Sequence, residues 1–321
     1  VTAPTRIDGR REWEPEAHVT VDVARRTVAD QFPELAALPV RWFDAGWDNA
    51  VVAVGDHLVF RFVHRAIALD GSRRELVVLR ELVDGLPCPV PRPQYVGTPT
   101  TEVPWPFWGG PMLHGSPLAA GGRLPGPAPV ATQLGAFLRA LHDPVRATRA
   151  AATGALPTDP MGRGDGERVV ERARAAVGRL RDAGALPTTG ERARRLDALL
   201  TATEESVPAD PGDQVLVHGD LHARHVLMAG QGASARVSGV LDWGDTCLAD
   251  PSVDLMIAWA AFEGATRDTF LAAYGSVPAG RALRARALAV RVGGALAEQA
   301  LADGLDDLAT AALGTIERAT R

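Results

Sequence analysis

The chain has 321 residues, 46% of them hydrophobic, enough for one large bilobal domain or two modest ones with a sizeable core. All 34 basic residues are Arg, and the formal charge of −5 argues against nucleic acid as a partner. The two cysteines, Cys88 and Cys247, make neither a disulfide framework nor a metal motif; no run approaches a membrane span, and the first residues lack the apolar stretch of a signal peptide, so a cytoplasmic setting is expected.

Residues 1–18 are polar and read as an arm. Thr20 is placed to cap a helix running to Phe32, with Val21, Ala24, Val28 and Phe32 roughly on one face. Residues 40–43, 50–54 and 57–63 read as strands of an antiparallel meander, with turns around Gly46 and Gly55. Arg61 stands in the middle of the apolar strand LVFRFV. A helix is expected from residue 71 to 83, burying Leu76, Leu79 and Val83. It opens on Ser72 and Glu75, the S-x-x-E spacing of a capping box. After a stiff proline stretch, residues 103–108 read as a strand whose prolines put it at a sheet edge.

Residues 121–129 form a Gly/Pro loop, and residues 130–142 a strongly amphipathic helix with Leu134, Leu138 and Leu141 inward. Residues 143–166 read as a loop, followed by two Arg- and Glu-rich helices at 167–183 and 189–205 whose charges suit a solvated face. The most informative stretch then runs from Val215 to Leu255: VLVHGDLHARHVLM, a short polar turn, and VSGVLDWGDTCLADPSVDL. An apolar run delivers His218-Gly219-Asp220 to a strand end. Residues 226–229 and 235–241 flank Gly230, Gly232 and Ser234, a hairpin signal. Its open ends carry His225 and Asp242, which are therefore expected to be neighbours, with Asp220 just before them. Asp250 and Asp254 flank a helix start, and one of them is expected to brace the loop; His222 and Asp245 receive no role. Helices close the chain near 253–262, 267–274, 280–300 and 305–318.

The stretch HGDLHARHVL, with GVLDWGD and DPSVDL, resembles the aminoglycoside phosphotransferase-like kinases, and the His ending HGDLHARH is similar to the macrolide phosphotransferase branch. The resemblance covers Arg61 to Tyr274 and implies an α+β, bilobal, protein-kinase-like fold. A small lobe, residues 1–114, would hold a five-stranded antiparallel sheet and a helix; a larger helical lobe, 115–321, would carry the catalytic hairpin. It implies that Asp220 accepts the proton of the acceptor hydroxyl and that His225, where Asn is usual, and Asp242 hold Mg²⁺. Because Mg²⁺ prefers oxygen, an imidazole there suits Mn²⁺ or a water-mediated contact. Arg61 matches the position of the kinase Lys that grips the non-transferred phosphates; the exchange is not conservative, but Arg also grips phosphate bidentately. Glu75 is either its ion-pair partner or the capping-box acid. Met112 and His114 lie in a segment similar to the lobe linker that holds the nucleotide ring, with ATP and GTP equally possible.

The function so implied is transfer of a γ-phosphoryl group from a nucleotide to a hydroxyl of a small molecule, an antibiotic among the candidates. The alternatives are a metabolic kinase for a sugar or amino alcohol, and a nucleotide-binding pseudokinase. Between Pro251 and Arg321, eight acids (Asp254, Glu263, Asp268, Glu298, Asp303, Asp306, Asp307, Glu317) nearly balance seven arginines, so a trication would gain little there. Trp259, Phe262, Phe270 and Tyr274 suit either an apolar acceptor wall or the core. The charge balance and the His ending HGDLHARH favour a macrolide-like acceptor over an aminoglycoside. Oligomeric state is left open.

Overall fold

The computed structural model describes residues 6–7, 10–11, 15–45, 48–120, 124–206 and 208–321. It divides into two compact units, one of residues 1–81 with 91–113 and one of residues 82–90 with 114–321. The fold is α+β, with an antiparallel sheet in the N-terminal region and mainly helix in the C-terminal part.

In the first unit β1 (Arg6–Ile7) and β2 (Arg10–Arg11) form a short antiparallel pair. Helix α1 (Val21–Gln31) starts where Thr20 accepts a hydrogen bond from the Val23 N–H at 3.2 Å, and buries Ala24 and Val28. Strands β3 (Val40–Ala45), β4 (Asn49–Val54), β5 (Leu58–Val63), β6 (Tyr95–Gly97) and β7 (Phe107–Pro111) form one sheet in the order β3-β4-β5-β7-β6. Val52, Phe60, Phe62 and Phe107 are wholly buried in it; Phe62 and Phe107 stack with centroids 4.7 Å apart. The expected turn around Gly46 lies outside the described residues.

Two expectations are corrected here. The strand near residue 107 is not at the edge: β7 bonds to both β5 and β6. Pro104 and Pro106 precede its paired stretch and Pro111 ends it, so no ladder N–H is lost inside. Helix α2 (Leu69–Val77) begins before residue 71 and continues as a π turn over Val78–Leu82. Ser72 therefore lies inside the helix rather than at its cap, and no capping box forms with Glu75.

The second unit holds helices α3 (Ala128–Leu141), α4 (Pro144–Ala152), α5 (Gly166–Asp182), α6 (Gly190–Glu204), α7 (Ser252–Ala261), α8 (Gly264–Tyr274), α9 (Ala279–Ala302) and α10 (Asp306–Thr320). Helix α4 was read as loop. Its start is nonetheless coded locally: Asp143 accepts the Val145 N–H at 2.8 Å, and Pro144 occupies the first turn, where no N–H is needed. Helix α9 packs against α5, α7 and α10, and α3 against α8. The α3–α8 crossing needs Gly135, whose added Cβ would lie 2.3 Å from the Phe270 carbonyl. Two small sheets complete the unit: β8 (Ser116–Pro117), β10 (Val226–Ala229) and β11 (Arg236–Val240) in the order β11-β10-β8, and β9 (Val215–Val217) with β12 (Cys247–Ala249). Trp259, Phe262 and Phe270 are 6%, 0% and 0% exposed, so these aromatics are core and not an acceptor wall.

Candidate active site

Strand β9 ends at Val217 and hands the chain to the loop His218-Gly219-Asp220. Gly219 takes a φ of +89°, and a Cβ there would lie 2.2 Å from the Asp245 carbonyl oxygen, so the residue is restricted to Gly. The loop is braced from below by Asp254 on α7, which is wholly buried. Its carboxylate accepts the His218 N–H at 2.7 Å, the Gly219 N–H at 3.0 Å and His142 Nε2 at 3.1 Å. His142 in turn meets the Tyr274 hydroxyl through Nδ1 at 3.0 Å. Burial alone would raise the Asp254 pKa; the hydrogen bonds and charges from His142 and His218 outweigh it and hold the group below the usual carboxylate range. The bracing role read for one of Asp250 and Asp254 thus falls to Asp254. Asp250 instead accepts Arg281 at 3.1 Å, Arg284 at 3.0 Å and the Ser252 N–H.

His218 is also wholly buried. Its Nδ1 accepts the Asp220 N–H at 3.3 Å and its Nε2 donates to the Leu241 carbonyl at 2.9 Å, which fixes the neutral Nε2–H tautomer. Burial pushes its pKa down. His222 is pushed down to about 3, by burial first and then by His225 and Arg224. Both groups bind fewer protons folded than unfolded, where His titrates near about 6.5. Their stabilisation is therefore present above that pH and lost as pH falls below it, for His222 toward about 3. The melting temperature is expected to drop between pH 6.5 and 5, before most carboxylates titrate, and His218→Gln to flatten that slope; a flat profile for the parent protein would contradict the assignment.

The hairpin β10–β11 brings its open ends together, with the Leu241 N–H bonded to the His225 carbonyl at 2.8 Å. His225 Nε2 lies 3.4 Å from Asp242 Oδ2. Asp242 adopts a φ of +66°, an uncommon conformation for a non-Gly residue of the kind that clusters at functional sites. Its side chain is 50% exposed although the next residue, Trp243, is wholly buried. His225 Nδ1–H donates to the Asp220 carbonyl at 2.9 Å, which leaves a lone pair on Nε2 facing Asp242. This nitrogen–carboxylate donor set fits a divalent cation.

The Asp220 carboxylate has two distinct sides. Oδ2 lies 3.6 Å from His222 Nε2 and 3.6 Å from His225 Nδ1. Oδ1 lies 3.4 Å from Arg163 Nη1. Asp220, His222 and His225 thus gather ligand atoms within 4.8 Å of one another. His222, however, uses Nδ1 to accept the Arg224 N–H at 3.3 Å, so Nε2 carries the proton and faces Asp220 as a donor, not as a metal ligand. Arg163 also pairs with Asp245 Oδ2 at 2.9 Å and donates to the Gly219 carbonyl. Arg163, His222 and Asp245 received no role from sequence. Arg163 sits in a stretch read only as loop, where the glycines on either side of it, Gly162 and Gly164, were its one local mark.

In the first unit, Arg61 Nη1 meets Glu75 Oε1 at 2.6 Å, with both side chains largely buried. The guanidinium also lies over Trp108, 5.5 Å from the ring centroid. Met112 donates its N–H to the His57 carbonyl at 2.8 Å, so a ring docked here would meet its carbonyl or thioether instead. His114 is exposed. A cavity of about 610 Å³ in the second unit is lined by Asp159, Asp165, Glu204 and Asp250 among others, but by no residue of the HGD loop. Those four carboxylates already cap loops or pair with arginines, so the cavity is not the reaction centre.

An antiparallel sheet region followed by a mainly helical part that carries the HGD loop and its hairpin is a kinase-like fold. The family model described as "Phosphotransferase enzyme family" matches residues 39–289, and the chain belongs to that family. By family it is a phosphotransferase. The GDP complex of wild-type aminoglycoside 2'-phosphotransferase-IIIa has the same fold: 20% identity, 94% of this chain and 99% of that one covered, TM-score 0.66. Macrolide 2'-phosphotransferase MphH from Brachybacterium faecium is 24% identical over 92% of this chain and 97% of its own, with TM-score 0.59. A curated relative, uncharacterized protein YcbJ of Bacillus subtilis (strain 168), is 42% identical over 52 residues, which is 16% of each chain. No helix among the described residues is long and apolar enough to cross a membrane.

Proposed function

We propose that the protein transfers the γ-phosphoryl group of ATP or GTP to a hydroxyl of a small molecule, with Asp220 as the base. The observation that carries this reading is Asp220 itself, one-third exposed and held by Gly219 and Asp254 beside the His225–Asp242 pair. Asp220 orients the hydroxyl and takes its proton. Arg61, fixed by Glu75, grips the non-transferred phosphates, and Met112 and His114 border the nucleotide ring. His225 and Asp242 would hold Mg²⁺ or Mn²⁺, which when bound neutralises phosphate charge. Catalysis by such a site is chiefly positioning plus electrostatics.

His225→Asn tests the metal assignment. An amide oxygen suits Mg²⁺ better than imidazole nitrogen, so Mg²⁺-supported transfer is expected to be kept or raised, and any Mn²⁺ preference to shrink. Loss of activity with the fold intact would show that His225 does something else.

The acceptor is not a polycation. Arg163 stands at Asp220, and the sequence from Pro251 onward is nearly charge-balanced. Of the two antibiotic classes among the fold's neighbours, the macrolide type fits better. Competition assays are expected to show a 14-membered macrolide phosphorylated in preference to kanamycin-type compounds; efficient kanamycin turnover with no macrolide binding would reverse the preference.

A further inference from the structure

Helices α5 and α9 run parallel in a fixed register. An added Cβ on Gly166 would lie 3.5 Å from Arg284, one on Gly294 would lie 2.9 Å from Ala176, and Arg179 Nε bonds Glu298 at 2.6 Å. Each partner on α9 stands 118 or 119 positions after its partner on α5. The same offset puts Arg291 level with Arg172 and Ala173. Arg172 folds back to donate to the Met161 carbonyl at 3.0 Å, two residues from Arg163, which touches Asp220 Oδ1. Arg291 and Arg172 therefore lie level on neighbouring helices, and Arg163, two residues from the carbonyl that Arg172 holds, is the guanidinium that touches the base.

They are not equivalent. Arg163 is spent on Asp220, Asp245 and the Gly219 carbonyl, and Arg172 on Met161. Asp159, the nearby acid, accepts the Arg163 and Gly164 N–H groups at 2.8 and 2.9 Å. Arg291 is half-buried and has no hydrogen bond or ion pair among the described residues. Burial lowers its pKa, and the nearby charges of Arg163 and Arg172 lower it further, against a smaller opposing pull from Asp159 and Asp220. A partly desolvated guanidinium that makes no hydrogen bond to a carboxylate of its own chain is a strong receptor for a carboxylate or phosphate.

Taking the phosphotransferase reading as its basis, we propose that Arg291, with Arg172 beside it, binds a carboxylate or phosphate carried by the acceptor. The two-sided environment of Asp220 decides between acceptor and nucleotide. Its Oδ2 faces His222 and His225, next to the site assigned to metal and nucleotide phosphates; its Oδ1 faces Arg163, on the side from which the charges of Asp220 and Arg163 act on Arg291. An anion on the arginine side belongs to the molecule whose hydroxyl Asp220 holds. Acidic hydroxyl compounds rank first on this basis, neutral or singly charged apolar ones second, and polycations last.

The probe is inorganic sulfate, titrated into the full chain with Mg²⁺ and a saturating non-hydrolysable ATP analogue. Chloride at equal ionic strength is the control. Saturable binding, read by calorimetry, is expected for the parent protein and at least about tenfold weaker for Arg291→Gln, the fold-change of about 1.4 kcal/mol. Arg172→Gln, a second variant should the first not fold, is expected to weaken it several-fold. No saturable binding in the parent, or equal affinity in the variants, overturns the proposal. So does sulfate that displaces the ATP analogue, since the anion would then sit in the nucleotide site. Failure of the protein to bind the analogue at all is a separate result, and counts against the phosphotransfer reading.

Discussion

Asp220→Ala is expected to keep nucleotide binding and to lose phosphoryl transfer by about 10²- to 10⁴-fold, the usual worth of a positioned general base. The side chain reaches solvent, and its backbone N–H bond to His218 Nδ1 survives truncation, so the fold should be little affected. Arg61→Ala provides the contrast. It removes the cation paired with Glu75 and stacked over Trp108, and is expected to weaken nucleotide affinity. Losing one partner of a largely buried pair also costs stability, about 3–5 kcal/mol at the upper end. Measuring nucleotide affinity and single-turnover transfer on both variants separates the roles. Wild-type transfer by Asp220→Ala would remove Asp220 from the role of base.

Asp254→Ala is expected to be the most destabilising single change near the site. The carboxylate is the common acceptor for two backbone N–H groups of the HGD loop and for His142, all without access to water. A buried donor left unpaired costs about 1–3 kcal/mol, and three share this acceptor. Against a typical total of about 5–15 kcal/mol, much of the second unit's stability would go. Asp254→Asn retains one oxygen but turns an NH₂ toward donors, so it should recover only part. The Asp254 contribution is present above the unfolded carboxylate pKa of about 3.9 and lost as pH falls through its lower folded value. Urea denaturation of both variants checks this. A midpoint for Asp254→Ala equivalent to the parent's within about 0.5 kcal/mol would mean the brace carries no load.

Local patterns in the chain announced much of the architecture. The Thr20 cap, the alternating strands around Gly55 and the leucine stripe of α3 are interactions among near neighbours, so they show in sequence as spacing. The same holds for the HGD loop and the hairpin. His225 and Asp242 are brought to 3.4 Å because a hairpin must close, and its two apolar arms and glycine turn are all encoded within residues 226–241. The α4 start at Asp143-Pro144 is equally local, a cap and a first-turn proline set among small and charged residues.

Other features depended on partners far away in the chain. Prolines near residue 104 suggested an edge strand; only the ladder shows that β7 lies between β5 and β6, because the prolines fall outside its paired stretch. Ser72 and Glu75 had the spacing of a cap, and the helix began three residues earlier, leaving Glu75 to meet Arg61. Trp259, Phe262 and Phe270 had a composition that suited a ligand wall as well as a core, and packing against neighbouring helices decided for the core. Arg163 reached Asp220 from the loop between α4 and α5, and Arg291 came level with Arg172 through helix packing. The sequence by itself determined the strand, hairpin and loop that carry the reacting groups, since their geometry follows from short-range dihedral and hydrogen-bond preferences. Which charges surround those groups was decided by tertiary structure, because side chains tens to more than a hundred positions apart have no spacing that links them until the helices are packed.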